Sequence, residues 1–199
     1  DTDVSDEEQV RHMAAATLER FGRIDILVNN AGIIGPTLPL HEIERADWDA
    51  VMAVNLTGVY LCARAVVPQM LSQGSGRIIN ISSVAGKIGF ALRSPYAVSK
   101  WGVIGLTMTL AKELGSSGIL VNAVCPGPID GPRMDQIIAS RAGHLDTTPG
   151  ELREKMFGET ALGRFIPPEH IADMVAFLAS ERAASITGQT LDVTAGHHL

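Results

Sequence analysis

Cysteine is scarce in this chain, and no residues have the spacing of metal ligands. The two cysteines among 199 residues are Cys62 and Cys125, too few for a disulfide scaffold. The six histidines form no H-E-x-x-H or similar set, so we expect no metal site. Two buried free thiols are typical of a reducing compartment, and we therefore expect a cytoplasmic protein.

Basic charge and long apolar runs are also missing. The net charge is −6, and the 16 Lys and Arg residues form no stripe, which argues against a nucleic-acid partner. No continuous apolar run reaches the roughly 18 residues that span a membrane, so we expect no membrane partner. With 46% hydrophobic and 19% charged residues, the composition is that of an ordinary globular protein. We expect one domain over residues 1–199.

Short apolar segments alternate along the chain with longer amphipathic ones. Continuous hydrophobicity predicts parallel strands covered on both faces, over residues 24–28, 77–81, 119–125 and 190–193. Helical periodicity predicts helices over residues 5–21, 47–67, 95–114 and from 169 onward. This alternation predicts a doubly wound α/β fold, with a parallel sheet and helices on both of its faces.

Local signals refine the ends of these elements. Ser5, with Glu8 three residues later, predicts a capping box at the start of the first helix, and Gly22 predicts its end. Pro68 predicts the end or a kink of the second helix. Residues 1–4 read like the end of a strand.

Three side chains with complementary chemistry follow the apolar segment at residues 77–81. Ser83 comes at the end of this segment, and Tyr96 follows after twelve further residues. Tyr96 and Lys100 lie four residues apart at the head of the next helix, so both project from one face. A free tyrosine holds its proton too tightly for efficient exchange near neutral pH, and a nearby ammonium group favours the phenolate. The three side chains therefore suit proton transfer to or from an oxygen atom.

A serine at a strand end followed by Tyr-x-x-x-Lys resembles the active-site pattern of the short-chain dehydrogenase/reductase family. The resemblance implies that Tyr96 is the general acid/base, that Lys100 holds the nicotinamide ribose, and that Ser83 donates a hydrogen bond to the substrate oxygen. Asn55, in the stretch V-N-L-T-G at residues 54–58, matches the asparagine that completes this tetrad by holding a proton-relaying water. The implied reaction transfers a hydride between a nicotinamide cofactor and an alcohol or carbonyl substrate.

The resemblance also implies a set of cofactor-binding residues. The stretches N-N-A-G at residues 29–32 and P-G-P-I at residues 126–129 match segments that flank the adenosine ribose and the nicotinamide. The implied residues are Asp3, Val4, Asn29, Ala31, Gly32, Tyr96, Lys100, Pro126, Gly127 and Ile129. Gly131 departs from the pattern, because the family usually has a cofactor-contacting threonine there. The cofactor is NAD or NADP, and the sequence does not reveal which.

The glycine-rich turn that binds pyrophosphate in dinucleotide folds is missing from these residues. The nearest candidate, at residues 74–76, precedes a strand instead of following one. At about 30 residues per strand-helix-strand unit, about sixty residues of the usual fold are absent. We therefore expect an N-terminally incomplete Rossmann-like domain whose strand at residues 24–28 forms an apolar sheet edge.

The irregular region at residues 130–167 is the expected lid over a small-molecule substrate. Ser83, Phe90, Arg93 and Arg133 are the candidate substrate contacts. The arginines, together with Arg141 and His144, are either an anion-recognition set or solvated surface charge. By resemblance to the family, we also expect a homo-oligomer, a tetramer or dimer, formed through the helices at residues 47–71 and 95–114.

Two other functions stay open at this stage. A truncated, non-catalytic relative that retains the tetrad could act as an oligomeric scaffold, and failure to bind either nicotinamide cofactor would favour it. A serine hydrolase using Ser83 is the third interpretation, although the sequence has no G-x-S-x-G nucleophile elbow.

Overall fold

Four parallel strands form the sheet in the computed structural model, which describes residues 1–197. The strands lie side by side in the order β1-β2-β3-β4. Their bounds are Ile26–Asn29 for β1, Gly76–Ile81 for β2, Ile119–Pro126 for β3 and Thr190–Val193 for β4. The predicted parallel sheet is confirmed, and each predicted strand agrees with an observed one to within two residues at either end.

Seven α-helices connect or cover these strands in the described residues. They are α1 (Glu7–Phe21), α2 (Arg45–Met52), α3 (Gly58–Gln73), α4 (Ser94–Leu114), α5 (Pro132–His144), α6 (Pro149–Gly158) and α7 (Pro168–Ala179). Helices α1, α3 and α4 contribute to an apolar cluster with Ile78 and Val121, whereas α7 packs in a separate cluster with Ile79 and Val124. Since neighbouring strand residues point to opposite faces, helices cover both faces, as the doubly wound prediction requires.

A line of buried polar side chains crosses this core. The Asn29 amide nitrogen donates to Asn80 Oδ1 at 2.8 Å, and the Asn80 amide nitrogen donates to Thr107 Oγ1 at 2.8 Å. Asn80 and Thr107 are fully buried. The two hydrogen bonds therefore join β1, β2 and α4 through groups that would be costly to leave unpaired.

The start of the chain differs in detail from the sequence prediction. Asp6, not Ser5, caps α1, because its carboxylate accepts hydrogen bonds from the N–H groups of Glu8 and Gln9. Residues 1–4 form no strand, and the Asp3 side chain instead accepts hydrogen bonds from the backbone and hydroxyl of Ser5. The predicted end of α1 is confirmed, since Gly22 adopts a left-handed conformation with φ of 73°.

The prediction that Pro68 ends or kinks the second helix is wrong about the end. Helix α3 continues through Pro68 to Gln73, although proline cannot donate the usual backbone hydrogen bond to the residue four positions earlier. Val66 and Met70 on either side are almost completely buried, so packing holds the helix together. The irregularity lies earlier, where the π-helical turn Ala53–Thr57 joins α2 to α3.

This joined helical run is long and apolar enough to cross a membrane by length and composition. It covers Arg45–Gln73, and 44% of its most apolar window is buried inside the protein. The sequence expectation counted only continuous apolar residues and so missed this stretch. Its buried residues, including Val59 and Val66, pack in the protein interior, as in the core helix of an α/β fold.

The region expected to form a lid contains two well-defined helices, α5 and α6. They share an apolar cluster formed by Ile138, Ala142, Leu152, Met156 and Phe165. Both helices begin with proline, and Thr148 forms a capping box with Glu151 at the start of α6. The region is therefore a small packed layer that lies beside the carboxyl end of the sheet.

Candidate active site

Lys100 is held at the carboxyl end of β2. It lies one turn after Tyr96 in α4 and is 5% exposed. Its ammonium group donates a hydrogen bond to the Ile81 carbonyl oxygen at 2.8 Å and lies 5.8 Å from the centre of the Tyr96 ring. The end of the strand therefore fixes the lysine, and the lysine places a cation beside the tyrosine.

Ser83 is positioned by the turn that follows β2. It caps the short 3-10 turn Val84–Gly86, and its hydroxyl oxygen accepts a hydrogen bond from the Ala85 N–H at 3.1 Å. Because the oxygen is the acceptor in this contact, the hydroxyl hydrogen is free to donate to a substrate. Ser83 is 9% exposed and lines the same cavity as Tyr96 and Lys100.

Gly86 allows this turn to lie directly against α4. A Cβ atom at Gly86 would come within 2.7 Å of the Lys100 carbonyl oxygen and 2.8 Å of Ser82 Oγ. Ser82 Oγ itself donates to the Lys100 carbonyl at 2.8 Å. The loop at residues 82–93, here called the serine loop, thus contacts helix α4 at a point where a larger residue would push the two backbones apart.

Asn55 lies in the π-helical turn and is completely buried. Its Oδ1 accepts from the Ile33 N–H at 2.8 Å, and its Nδ2 donates to the Ile33 carbonyl at 3.0 Å and to Ser99 Oγ at 3.2 Å. Ser99 Oγ in turn donates to the Tyr96 carbonyl at 2.8 Å. Asn55 therefore links the loop after β1 to the start of α4. The water-holding role that the family resemblance implies stays a prediction.

Gly32 shows that Asn55 and Lys100 approach the same point. A Cβ atom there would lie 3.3 Å from Asn55 Oδ1 and 3.7 Å from the Lys100 ammonium nitrogen. A residue without a side chain thus keeps the space between the asparagine and the lysine open.

Lys100 lies in a buried and positively charged environment. Burial, and secondarily the charge of Arg133, lower the pKa of Lys100 to about 8. Burial alone favours the neutral amine. An ionised partner such as a tyrosine phenolate would favour the ammonium form.

A cavity of about 260 Å³ lies beside Lys100 and contains most of the expected cofactor contacts near the nicotinamide. Of the predicted residues, it is lined by Gly32, Ser83, Tyr96, Lys100, Pro126, Gly127 and Ile129. Gly131, which replaces the family's usual threonine, lines it too and begins α5 with φ of 134°. A nicotinamide ribose fits this donor set, because a buried ammonium group and backbone groups of the loop after β3 face one space.

The remaining predicted cofactor residues lie elsewhere. Val4, Asn29 and Ala31 line a separate, smaller cavity of about 100 Å³ near β1, and the Asn29 amide bonds to Asn80. Asp3 lines neither cavity and holds Ser5. The structure therefore does not bring these four residues to Tyr96, and their contact with a cofactor stays a prediction.

A third cavity, of about 300 Å³, lies between the serine loop and α5–α6. It is lined by all four predicted substrate contacts, Ser83, Phe90, Arg93 and Arg133, and also by Tyr96 and Arg141. His144 is absent from its lining, and its Nδ1 contacts the Ser140 carbonyl at 3.0 Å. Tyr96 and Ser83 line this cavity and also the cavity beside Lys100. They therefore lie between the expected cofactor and substrate positions.

The sequence interpretation missed several residues that line this cavity of about 300 Å³. Ile34 comes from the loop after β1, Met156 and Glu159 come from α6 and its end, and His197 follows β4. They belong to no motif, and only the packing of distant segments brings them to the site. In the described residues, no group of three His, Cys, Asp or Glu side chains could hold a metal ion.

The whole chain matches a known protein family model and individual relatives. The family model described as Enoyl-(Acyl carrier protein) reductase matches residues 1–198. The 3-oxoacyl-[acyl-carrier-protein] reductase of Thermotoga maritima is 42% identical over 193 residues, which cover 97% of this chain and 74% of the relative.

Solved structures of other proteins also superimpose closely on this chain. An actinorhodin polyketide ketoreductase with NADPH superimposes with a TM-score of 0.93 at 37% identity, covering 98% of this chain and 75% of the other. An NAD+-bound xylitol dehydrogenase gives a TM-score of 0.93 at 31% identity, covering 96% and 76%. The chain therefore spans about three quarters of the length of these proteins.

Proposed function

Because the chain belongs to the short-chain dehydrogenase/reductase family and is an NAD(P)-dependent oxidoreductase, we propose that Ser83, Tyr96 and Lys100 are its catalytic residues. The reaction transfers a hydride between the cofactor and an alcohol or carbonyl substrate. The observation that carries the assignment is the convergence of these three side chains on one cavity, beside a second that is open to substrate.

Each of the three residues has a separate task in carbonyl reduction. The bound nicotinamide supplies the hydride to the carbonyl carbon. Tyr96 gives its hydroxyl proton to the carbonyl oxygen, and Ser83 donates a hydrogen bond to the same oxygen while charge develops there. Lys100 stabilises the phenolate that Tyr96 becomes, since its ammonium group lies close to the ring. In alcohol oxidation the proton moves in the opposite direction.

The test is turnover of a panel of ketones with NADH and NADPH, followed by the absorbance of the reduced cofactor. Tyr96→Phe removes the acidic proton and should lower kcat by about 10²-fold or more, because positioned acid–base groups contribute 10²–10⁴-fold. Its circular dichroism should be unchanged, since no described hydrogen bond uses the Tyr96 hydroxyl. Turnover of Tyr96→Phe at a rate similar to the parent chain would contradict the assignment.

Cofactor preference belongs to the same experiment. The solved neighbours include one with NADPH and one with NAD+, and we propose that this chain uses one of them. Titration of the chain with each reduced cofactor measures the preference directly. Absence of binding to both would favour the scaffold function instead.

We also propose a homo-oligomer in the cytoplasm, formed through α3 and α4. Four large apolar side chains on these helices are between 45% and 51% exposed: Tyr60, Val98, Trp101 and Met108. Apolar and aromatic side chains of this kind are typical of interfaces. The reducing compartment is supported by the free, buried thiols of Cys62 and Cys125. Light scattering coupled to gel filtration measures the assembly.

A further inference from the structure

Three arginines converge on the proposed substrate cavity. Arg93 is the residue immediately before α4, and Arg133 and Arg141 lie in α5. Among the described residues, none of the three forms an ion pair with a carboxylate, whereas Arg64, Arg77 and Arg153 do. The site therefore gathers three positive side chains, none of which pairs directly with a described carboxylate.

Arg93 is the most deeply buried of them, at 1% exposure. Nη1 donates to Thr37 Oγ1 at 3.4 Å and Nη2 donates to the Ile34 carbonyl at 3.2 Å, but Nε has no hydrogen-bond partner. Burial lowers the pKa of Arg93 to about 10, and the charges of Arg141 and Arg133 act in the same direction. A guanidinium in this position is unfavourable unless an anion accompanies it.

Arg141 extends the same charged surface. Its guanidinium lies 5.3 Å from the centre of the Phe90 ring, and its Nε is buried without a partner. Arg93 lies 5.4 Å from the centre of the Tyr96 ring, so this cationic region reaches the catalytic tyrosine. Both guanidinium groups line this cavity, and no described carboxylate pairs with either, which favours an anionic ligand there.

The rest of the cavity favours an organic anion with an apolar body. Most of the lining is apolar, with Ile34, Val84, Ile88, Met134, Ile137 and Met156. Glu159 also lines the cavity, 3.7 Å from His197 Nε2. A carboxylate on a hydrocarbon body satisfies the apolar wall and the arginines together.

We propose that the substrate is an alcohol or carbonyl compound that carries a carboxylate, and that Arg93 and Arg141 bind this carboxylate. The proposal rests on the proposed function, since it places the reacting oxygen at Ser83 and Tyr96 of the same cavity. Guanidinium groups bind carboxylates through charge-assisted, often bidentate, hydrogen bonds. The two arginines are therefore specificity-determining residues.

Equilibrium binding tests the proposal independently of turnover. Cyclohexanecarboxylate, its neutral amide and inorganic phosphate are each titrated into the chain by calorimetry. We expect the carboxylate to bind about tenfold more tightly than the amide, because hydrogen bonds between charged groups exceed neutral ones by this order. Arg141→Gln should remove most of that difference. Arg45→Gln is the matched control, since it removes the same charge from an exposed surface pair with Asp49, and it should retain the difference.

The outcomes separate this proposal from the function on which it rests. Equal binding of acid and amide, no detectable binding of either, or tighter binding of phosphate than of the carboxylate would each overturn it. So would an Arg141→Gln variant that retains the full preference. Failure of the oxidoreductase function has a different signature, the absence of ketone turnover with either cofactor. The Arg141→Gln variant leaves Arg93 in place, whose hydrogen bonds to Thr37 and Ile34 also hold the fold.

Discussion

Lys100 combines deep burial with a charge that the proposed mechanism uses. Its ammonium group has one described protein acceptor, the Ile81 carbonyl, and its pKa is lowered to about 8 by burial. The protein therefore places the lysine where its charge is unfavourable in the unliganded fold. The same burial strengthens its effect on a phenolate, because Coulomb interactions grow as the local dielectric falls.

This burial predicts a pH dependence of stability. Because the folded pKa of about 8 is below the ordinary value of 10.5, the unfolded chain binds more protons between these pH values, and the free energy of unfolding rises with pH there. Relative to Lys100→Met, the parent chain should gain on the order of 2 kcal/mol between pH 7 and pH 10. Urea unfolding of both proteins at each pH measures the difference.

Comparing the parent chain with Lys100→Met cancels the contributions of the titrating groups that both proteins contain. Burial raises the pKa of Cys125 to about 11, which lowers stability above the ordinary thiol pKa, but this thiol is present in both chains. A stability difference that stays constant from pH 7 to pH 10 would show that Lys100 keeps an ordinary pKa in the folded protein.

At the scale of elements, the π-helical turn places the Asn55 side chain between the loop after β1 and helix α4. Its three hydrogen bonds reach Ile33 and Ser99, so Asn55→Ala removes the side-chain partner of the part-buried N–H and carbonyl groups of Ile33 and of the buried Ser99 hydroxyl. We expect a loss of about 2–4 kcal/mol in the free energy of unfolding, together with a lower kcat, because Ser99 bonds to the Tyr96 carbonyl. Denaturant unfolding and steady-state kinetics measure the two effects.

Asn122→Ala is the matched control for this variant. Asn122 is also buried, and it bonds to the Ile186 carbonyl and the Gln189 N–H away from the catalytic cavity. It should lower stability to a similar extent while the folded protein keeps its kcat. Equal losses of kcat in the two variants would assign the Asn55 effect to general destabilisation.

The contact between the serine loop and α4 depends on Gly86. Gly86→Ala forces a methyl group against the Lys100 carbonyl, and we expect it to lower stability by about 1–3 kcal/mol and to reduce kcat by moving Lys100. Gly105→Ala on the same helix meets open space and should raise stability by about 0.5–1 kcal/mol. Thermal unfolding and kinetics of both variants test this, and a fully active Gly86→Ala enzyme would refute the tight fit.

The observed helices and strands show which structural features can be predicted from local sequence patterns. The strands follow from apolar runs and α4 follows from helical periodicity, and these predictions are confirmed. The continuation of α3 through Pro68 could not be predicted, because it depends on the burial of Val66 and Met70 by distant residues. The π-helical turn likewise has no sequence signal of its own.

The same reasoning applies to the site. The proximity of Ser83, Tyr96 and Lys100 could be predicted because their spacing follows one strand, one loop and one helix. Glu159 and His197 could not, because no local pattern relates the end of α6 or the segment after β4 to the loop before α4. Arg93 was a candidate from its place in the loop, but its burial without a countercharge is a tertiary property.

At the scale of the whole molecule, β1 is an edge strand with apolar side chains facing solvent. Ile26 is 46% exposed and Val28 is 41% exposed. Exposed apolar edges promote association between chains. We predict that the 199-residue chain scatters light increasingly with concentration, and that Ile26→Lys combined with Val28→Lys reduces this scattering.

Leu40→Lys provides the control for the edge variant. Leu40 is 65% exposed but lies in a loop, so its replacement should leave the association unchanged. If both variants reduce scattering equally, general surface hydrophobicity and not the strand edge causes the association.

The polar line from Asn29 through Asn80 to Thr107 also bears on how the sheet assembles. Asn29 pairs with Asn80 in the register of β1 and β2. A slip of one residue would set Asn29 against Ile79 or Ile81 and leave both amides without partners in an apolar interior. The apolar residues of these strands would tolerate many pairings, but the two amides tolerate one. The two amides therefore favour the native register of β1 and β2 over a misaligned one.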